Sequence, residues 1–213
     1  MNISPANEMD IQLDQTIPAF PASFAQQGLW FLDQLEASSA AYNESSTILL
    51  NFAVNVHVLK QSLNALIERH EVLRTSFVAV DGQPMQVIAP SLMLPLPAVD
   101  LSALSEDQRQ AEARRLANEE AQRPFDLSQA PLLRTTLLKL DAEAYVLVLV
   151  IHHIIFDKWS ENALNEELAA LYQASAGDQP SLLHDLPFQY VDYAIWQQEH
   201  VRGERLAEHL AYW

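Results

Sequence analysis

The segment Ile151–Ser160, IHHIIFDKWS, places His152, His153 and Asp157 directly after an apolar run and directly before a helix-like pattern. Junctions of that kind deliver side chains to clefts. An imidazole titrates near neutrality, so it can take a proton from an attacking amine or hydroxyl, or hydrogen-bond a developing oxyanion. An aspartate four residues beyond His153 can hold local geometry. Taken alone, two adjacent histidines are more often a packed or metal-ligating pair than a catalytic one. Ser160 has no evident base and reads as a helix N-cap or first-turn residue, not a nucleophile.

The elements that must position these residues follow from periodicity. Residues 145–151, YVLVLVI, read as a strand buried on both faces, antiparallel to LLRTTLLKL at 132–140. A strand is expected over 47–58 and a helix over 60–70, with Leu59, Leu63, Leu66 and Ile67 on one stripe. SFVAV and PMQVIA flank Asp81-Gly82, a hairpin signal. Pro90, Pro95 and Pro97 mark an irregular connection before an exposed helix at 105–122, whose acids at 106, 107, 112, 119 and 120 form a solvated face. Helices are expected at 159–174, 188–199 and 204–213. Residues 1–18 read as a flexible leader, and the pattern stops at Trp213 without a closing turn, the mark of a piece of a longer protein. Trp30, Trp159 and Trp196 are expected as core anchors.

Composition removes whole classes. The 213 residues are 49% hydrophobic, enough for a real core, and 12 Lys+Arg against 28 Asp+Glu leave a net charge of −16, which repels a phosphate backbone and argues against a nucleic-acid partner. There is no cysteine, hence no disulfide, thiolate nucleophile or cysteine-ligated metal. The four isolated glycines, Gly28, Gly82, Gly177 and Gly203, cannot build a phosphate-binding or dinucleotide turn. No ligand-spaced partners accompany His57, His70, His200 or His209, so no metal site is expected. The acidic amino terminus is unlike a targeting segment and no run approaches a membrane span, which points to a cytoplasmic protein without membrane contact.

Four motifs occur in order: SFAQQGLWFL (23–32), RHEVLRTSF (69–77), IHHIIFDK (151–158) and YVDYAIW (190–196). They resemble SxAQxRLWxL, RHExLRTxF, HHxxxDG and YxDYAxW of the condensation domains of non-ribosomal peptide synthetases. The resemblance covers about residues 21–213. It implies an α/β fold of the chloramphenicol acetyltransferase type, a sandwich of mixed sheet with helices packed outside, of which residues 19–213 would be the amino-terminal lobe and the carboxy-terminal lobe would be absent. It implies amide formation between a donor acyl or peptidyl thioester and an acceptor aminoacyl group. Both would be carried on the phosphopantetheine of peptidyl carrier proteins, with no cofactor bound by the domain itself and the rest of the synthetase as partner. Carried over by position, His153 is the base or amine-positioning group. His152 and Asp157 are supporting residues, with Asp157 expected to pair with Arg69 or Arg74.

Two positions depart from the pattern. Gly28 stands where the family has arginine, and Lys158 stands where HHxxxDG has glycine, which matters if the backbone there needs a glycine conformation or if lysine enters the tunnel and places a cation beside His153. The resemblance leaves an elongating or fatty-acyl-loading domain as first reading. The alternative is a non-catalytic platform that recruits a trans-acting tailoring enzyme such as a hydroxylase. A coenzyme A acyltransferase using the His153–Asp157 spacing would not account for YVDYAIW.

Overall fold

The computed structural model describes residues 18–36 and 39–201. Among them the chain forms β1 (Ala19–Pro21), α1 (Phe24–Leu35), β2 (Asn43–Leu50), α2 (Val56–Arg69), β3 (Thr75–Val80), β4 (Gln83–Ile88), β5 (Ala98–Asp100), α3 (Glu106–Gln122), β6 (Leu133–Asp141), β7 (Ala144–His152), α4 (Lys158–Ala176) and α5 (Tyr190–His200), with 3-10 turns at Glu71–Arg74 and His153–Ile155. The larger sheet has the order β2-β7-β6-β5. Its first three strands are antiparallel and β5 lies parallel to β6, so the sheet is mixed.

β7 lies in the middle because it has no polar face to spare. Leu147, Leu149 and Ile151 pack against α2 and α4, while Val148 and Val150 join Leu101, Leu138 and the underside of α3 on the other face. Each of these five β7 residues is at most 2% exposed, and each such burial contributes about 1.5–3 kcal/mol. The expected stripe of α2, Leu59, Leu63, Leu66 and Ile67, is buried against this core together with Leu164, Leu168 and Leu171 of α4. Helices therefore cover both faces of the sheet, as expected for the fold class.

A second, three-stranded sheet, β1-β4-β3, was not foreseen as separate. Its hairpin turns at Asp81 and Gly82, both at positive φ (51° and 75°), as the Asp-Gly signal requires. Other boundaries moved for identifiable reasons. The strand expected over 47–58 occupies Asn43–Leu50, and α2 begins at Val56 because the Asn55 side chain accepts from the His57 and Val58 amides at 3.1 and 3.2 Å. That cap turns an apparent strand alternation into the first helical turn. β5 arises inside the proline-rich connection, where Pro97 and Leu101 bond to the edge of β6. The leader up to residue 17 and the helix expected at 204–213 lie outside the described residues.

Candidate active site

β7 runs into the site with its ladder intact. The amide of His152 donates to Leu132 O at 3.0 Å and that of His153 to Tyr42 O at 2.8 Å, so the chain is still pinned on both sides where it leaves the sheet. The 3-10 turn His153–Ile155 follows, then α4. The two histidines take opposite environments.

His152 is 3% exposed, its ring lying 6.3 Å from that of Tyr42 and edge-on to Phe125 at 6.1 Å. Its Nδ1 accepts from the Ile154 amide at 3.1 Å and caps the turn, so its proton sits on Nε2. Burial, with a smaller contribution from His153, pushes its pKa down to about 4. His152 is thus a neutral, turn-forming residue.

His153 is 39% exposed along its side chain, yet its Nδ1 is sealed from solvent. Glu44 Oε1 lies 3.3 Å from that nitrogen, close enough for ionic contact but off hydrogen-bond alignment, which leaves Nδ1 unpaired. Nε2 is not sealed in this way. A base or a donor to an oxyanion needs that nitrogen free.

Asp157 is the N-cap of α4, accepting from the Ser160 amide at 2.8 Å and the Ser160 hydroxyl at 2.6 Å. The Ser160 hydroxyl, then its amide, hold the carboxylate below its ordinary pKa, and the nearby His153 adds to the effect. The expected pairing with arginine is therefore corrected. Arg69 Nε reaches Glu167 of α4 at 3.1 Å, where it shares Oε2 with His70 Nε2 at 2.6 Å. Arg74 donates to Ala89 O at 2.6 Å and contacts Glu71 at 3.4 Å. Both arginines brace α2 and the following turn, and the first turn of α4 takes all the acceptor capacity Asp157 uses. Ser160 is the first-turn partner of that cap.

Lys158, at the glycine position of the motif, is the first residue of α4. Its side chain is 86% exposed and its ammonium contacts Glu161, whose carboxylate also accepts from Ser46 Oγ of β2 at 3.2 Å. Among the described residues those at positive φ other than glycine are Asp81 and Asp178, so Lys158 occupies ordinary helical backbone. It neither strains the chain nor points at His153. Gly28 sits on the exposed side of α1, and a Cβ there would meet nothing within 4 Å. Neither departure crowds the site.

Sequence reasoning missed several residues here. Gln26, 1% exposed, donates from Nε2 to Ile154 O in the histidine turn and to Gln86 Oε1, both at 3.3 Å, and its Oε1 closes the cap of α1 at Ser23. Its place in the SFAQQGLW motif was the available signal. Glu44, Ser46 and Glu161 become neighbours through the β2–β7 register and the path of α4, which no local pattern reveals. Trp159, expected in the core, is 85% exposed and Trp196 is 51% exposed, both on the outward sides of their helices; Trp30 does pack against the core. Among the described residues no three His, Asp or Glu side chains gather as a metal site, and no helix is long and apolar enough to cross a membrane.

Residues 18–213 match the sequence model of the family described as Condensation domain. The chain is 48% identical over 193 residues to a linear gramicidin synthase protein of Brevibacillus parabrevis, and 47% identical over 193 residues to phosphinothricin tripeptide synthetase PhsC of Streptomyces viridochromogenes. Each match covers 91% of this chain but only 4% and 18% of those proteins. The fold is similar to the starter condensation domain of rhizomide synthetase RzmA, with a TM-score of 0.83 at 23% identity, over 92% of this chain and 47% of that one. The first condensation domain of the CDA synthetase gives 0.81 at 21%, over 92% and 49%. The chain thus spans about half the length of the solved domains. The mixed sheet with its outer helices is the chloramphenicol acetyltransferase-type architecture of those domains, and the chain belongs to the condensation domain family of peptide synthetases.

Proposed function

We propose that residues 19–213 form the amino-terminal lobe of a condensation domain that joins a carrier-bound acyl or peptidyl thioester to a carrier-bound aminoacyl group. The acceptor nitrogen forms a bond to the thioester carbonyl carbon, the carbon–sulfur bond breaks, and the amine proton passes to His153 Nε2 and then to the departing thiolate. The donor and acceptor chains arrive on phosphopantetheine arms of partner carrier proteins, within a cytoplasmic synthetase. The observation that carries this reading is a part-exposed His153 ring whose Nδ1 is sealed against Glu44 and whose Nε2 is not, held beside a His152 that burial keeps neutral. A neutral imidazole with that nitrogen free can accept a proton from the attacking amine.

The platform alternative drew its motive from Lys158 and Gly28. Lys158 turns to solvent and Glu161, and Gly28 leaves open space, so neither supports lost turnover. The test is amide formation by the complete two-lobed domain with loaded donor and acceptor carriers. Turnover that disappears in His153→Ala, with the carriers still bound, is the expected result. Undiminished turnover in that variant overturns the assignment of His153, and no turnover in the unmodified domain favours the platform. The 213-residue chain alone is expected to form little or no amide.

A further inference from the structure

Glu44 has no role in the resemblance or in the chemistry above, yet it stands at the sealed Nδ1 of His153. β2 and β7 pair with Glu44 opposite Ile151, which makes Glu44 and His153 diagonal neighbours on one face of the sheet. The contact is held by the ladder: Asn43 pairs with His152, the His153 amide donates to Tyr42 O at 2.8 Å, and the Asn43 side chain is tied to Ala121 O and Arg123 O. The other charged groups around the ring are engaged. Asp157 caps α4 through Ser160, Lys158 and Glu161 pair with each other, and His152 is buried and neutral. Among the described residues the charged side chain that the Glu44 carboxylate meets is His153, with Oε1 3.3 Å from Nδ1.

We infer that Glu44 is a positioning residue that fixes His153 with its proton on Nδ1 and so leaves the Nε2 lone pair facing the open side. This rests on the proposed role of His153. A carboxylate offers only acceptor oxygens, so an Nδ1 lone pair facing Glu44 would be repelled while an Nδ1–H is attracted. Nδ1 is shut away from water and has no other partner, and Glu44 Oε1 lies 3.3 Å from it on a side chain that is 55% exposed. A carboxylate that selects the tautomer of a base is a recurrent catalytic device, and the wrong tautomer can cost up to about 10⁴ in turnover.

Two measurements on the same variants test this. Nitrogen-15 NMR of the 213-residue chain, recorded at rising pH until the His153 ring signals stop moving, reads the tautomer of the neutral ring. The unmodified chain is expected in the Nδ1–H form, Glu44→Gln still largely so because its amide oxygen also accepts, and Glu44→Leu mainly in the Nε2–H form. In the complete domain Glu44→Leu is expected to lower kcat at least about tenfold with the KM for either carrier unchanged, and Glu44→Gln to recover part of that loss. An Nε2–H ring in the unmodified chain, or full kcat in Glu44→Leu while His153→Ala is inactive, overturns the role of Glu44 alone. Full turnover in His153→Ala overturns the base assignment and this inference with it.

Discussion

Replacing Asp157 by alanine discriminates between a capping and a buried ion-pair role for the acid of the HHxxxDG motif. In the structure its carboxylate satisfies the Ser160 amide and hydroxyl at the start of α4 and touches neither Arg69 nor Arg74. Loss of such a cap costs about 0.5–2 kcal/mol, and a negative charge at a helix start adds about 0.3–1 kcal/mol. Asp157→Ala should therefore lose about 1–3 kcal/mol, a fall in Tm of about 2–4 °C per kcal/mol for a chain of this size. Asp157→Asn keeps the acceptor oxygen and should lose only the charge contribution. Because the folded carboxylate is held below its ordinary pKa, its charge stabilises above the unfolded value of about 3.9, and the benefit disappears as pH falls through the lowered folded value. The stability gap between the unmodified chain and Asp157→Asn should accordingly close in acid. Urea denaturation of the three chains across pH, with Arg69→Ala combined in a double-mutant cycle, provides the assay. A buried pair would instead cost about 3–5 kcal/mol on loss of one partner. A loss well above about 3 kcal/mol, or coupling to Arg69 or Arg74 well above about 0.5 kcal/mol, refutes the capping account.

Three further outcomes are expected. His152, with its pKa pushed down to about 4, is neutral when folded and protonates readily when unfolded, so stability should rise with pH between about 4 and 6.5 by up to about 3 kcal/mol; comparing denaturation midpoints of the unmodified chain and His152→Phe over that range should show the slope flatten in the variant. Gly28→Arg should raise stability by about 1 kcal/mol, the helix-propensity difference, because the added side chain meets open space; a lower Tm would contradict the open placement. Gln26→Leu should destabilise by about 2–3 kcal/mol by stranding Ile154 O and Gln86 in a buried setting, seen as faster amide exchange in the histidine turn.

The order of elements was largely legible because the strongest signals were physical. The apolar run at 145–151 had to be a doubly buried strand, the Asp81-Gly82 pair had to turn, and the stripe of α2 had to face the core. What local pattern could not supply was competition and register. Asn55 capping overrode the β-branched alternation of Val54, Val56 and Val58, and β5 formed because β6 offered a free edge to a stretch broken by prolines. At the site the motif marked the contiguous residues His152 to Lys158, but not which histidine is sealed, since burial is decided by Tyr42 and Phe125 from distant parts of the chain. The arginine expected for Asp157 failed for the same reason. Arg69 and Arg74 end in places fixed by α4 and the loop after β4, where Glu167 and Ala89 O reach them first. Glu44 carried no local signal at all, because only the pairing of β2 with β7 brings it to His153.

Among the described residues β2 has one neighbour in the sheet, and its outer backbone groups face away from β7 along eight residues. Such an edge is a template for another strand, and Leu49, 59% exposed, makes it stickier. Handled at high concentration, the 213-residue chain has an aggregation route built into the same strand that steers its histidine. Glu44 interrupts that edge with a charge. Neutralising it would therefore alter solubility as well as chemistry, and light scattering belongs beside any kinetic comparison of Glu44 variants.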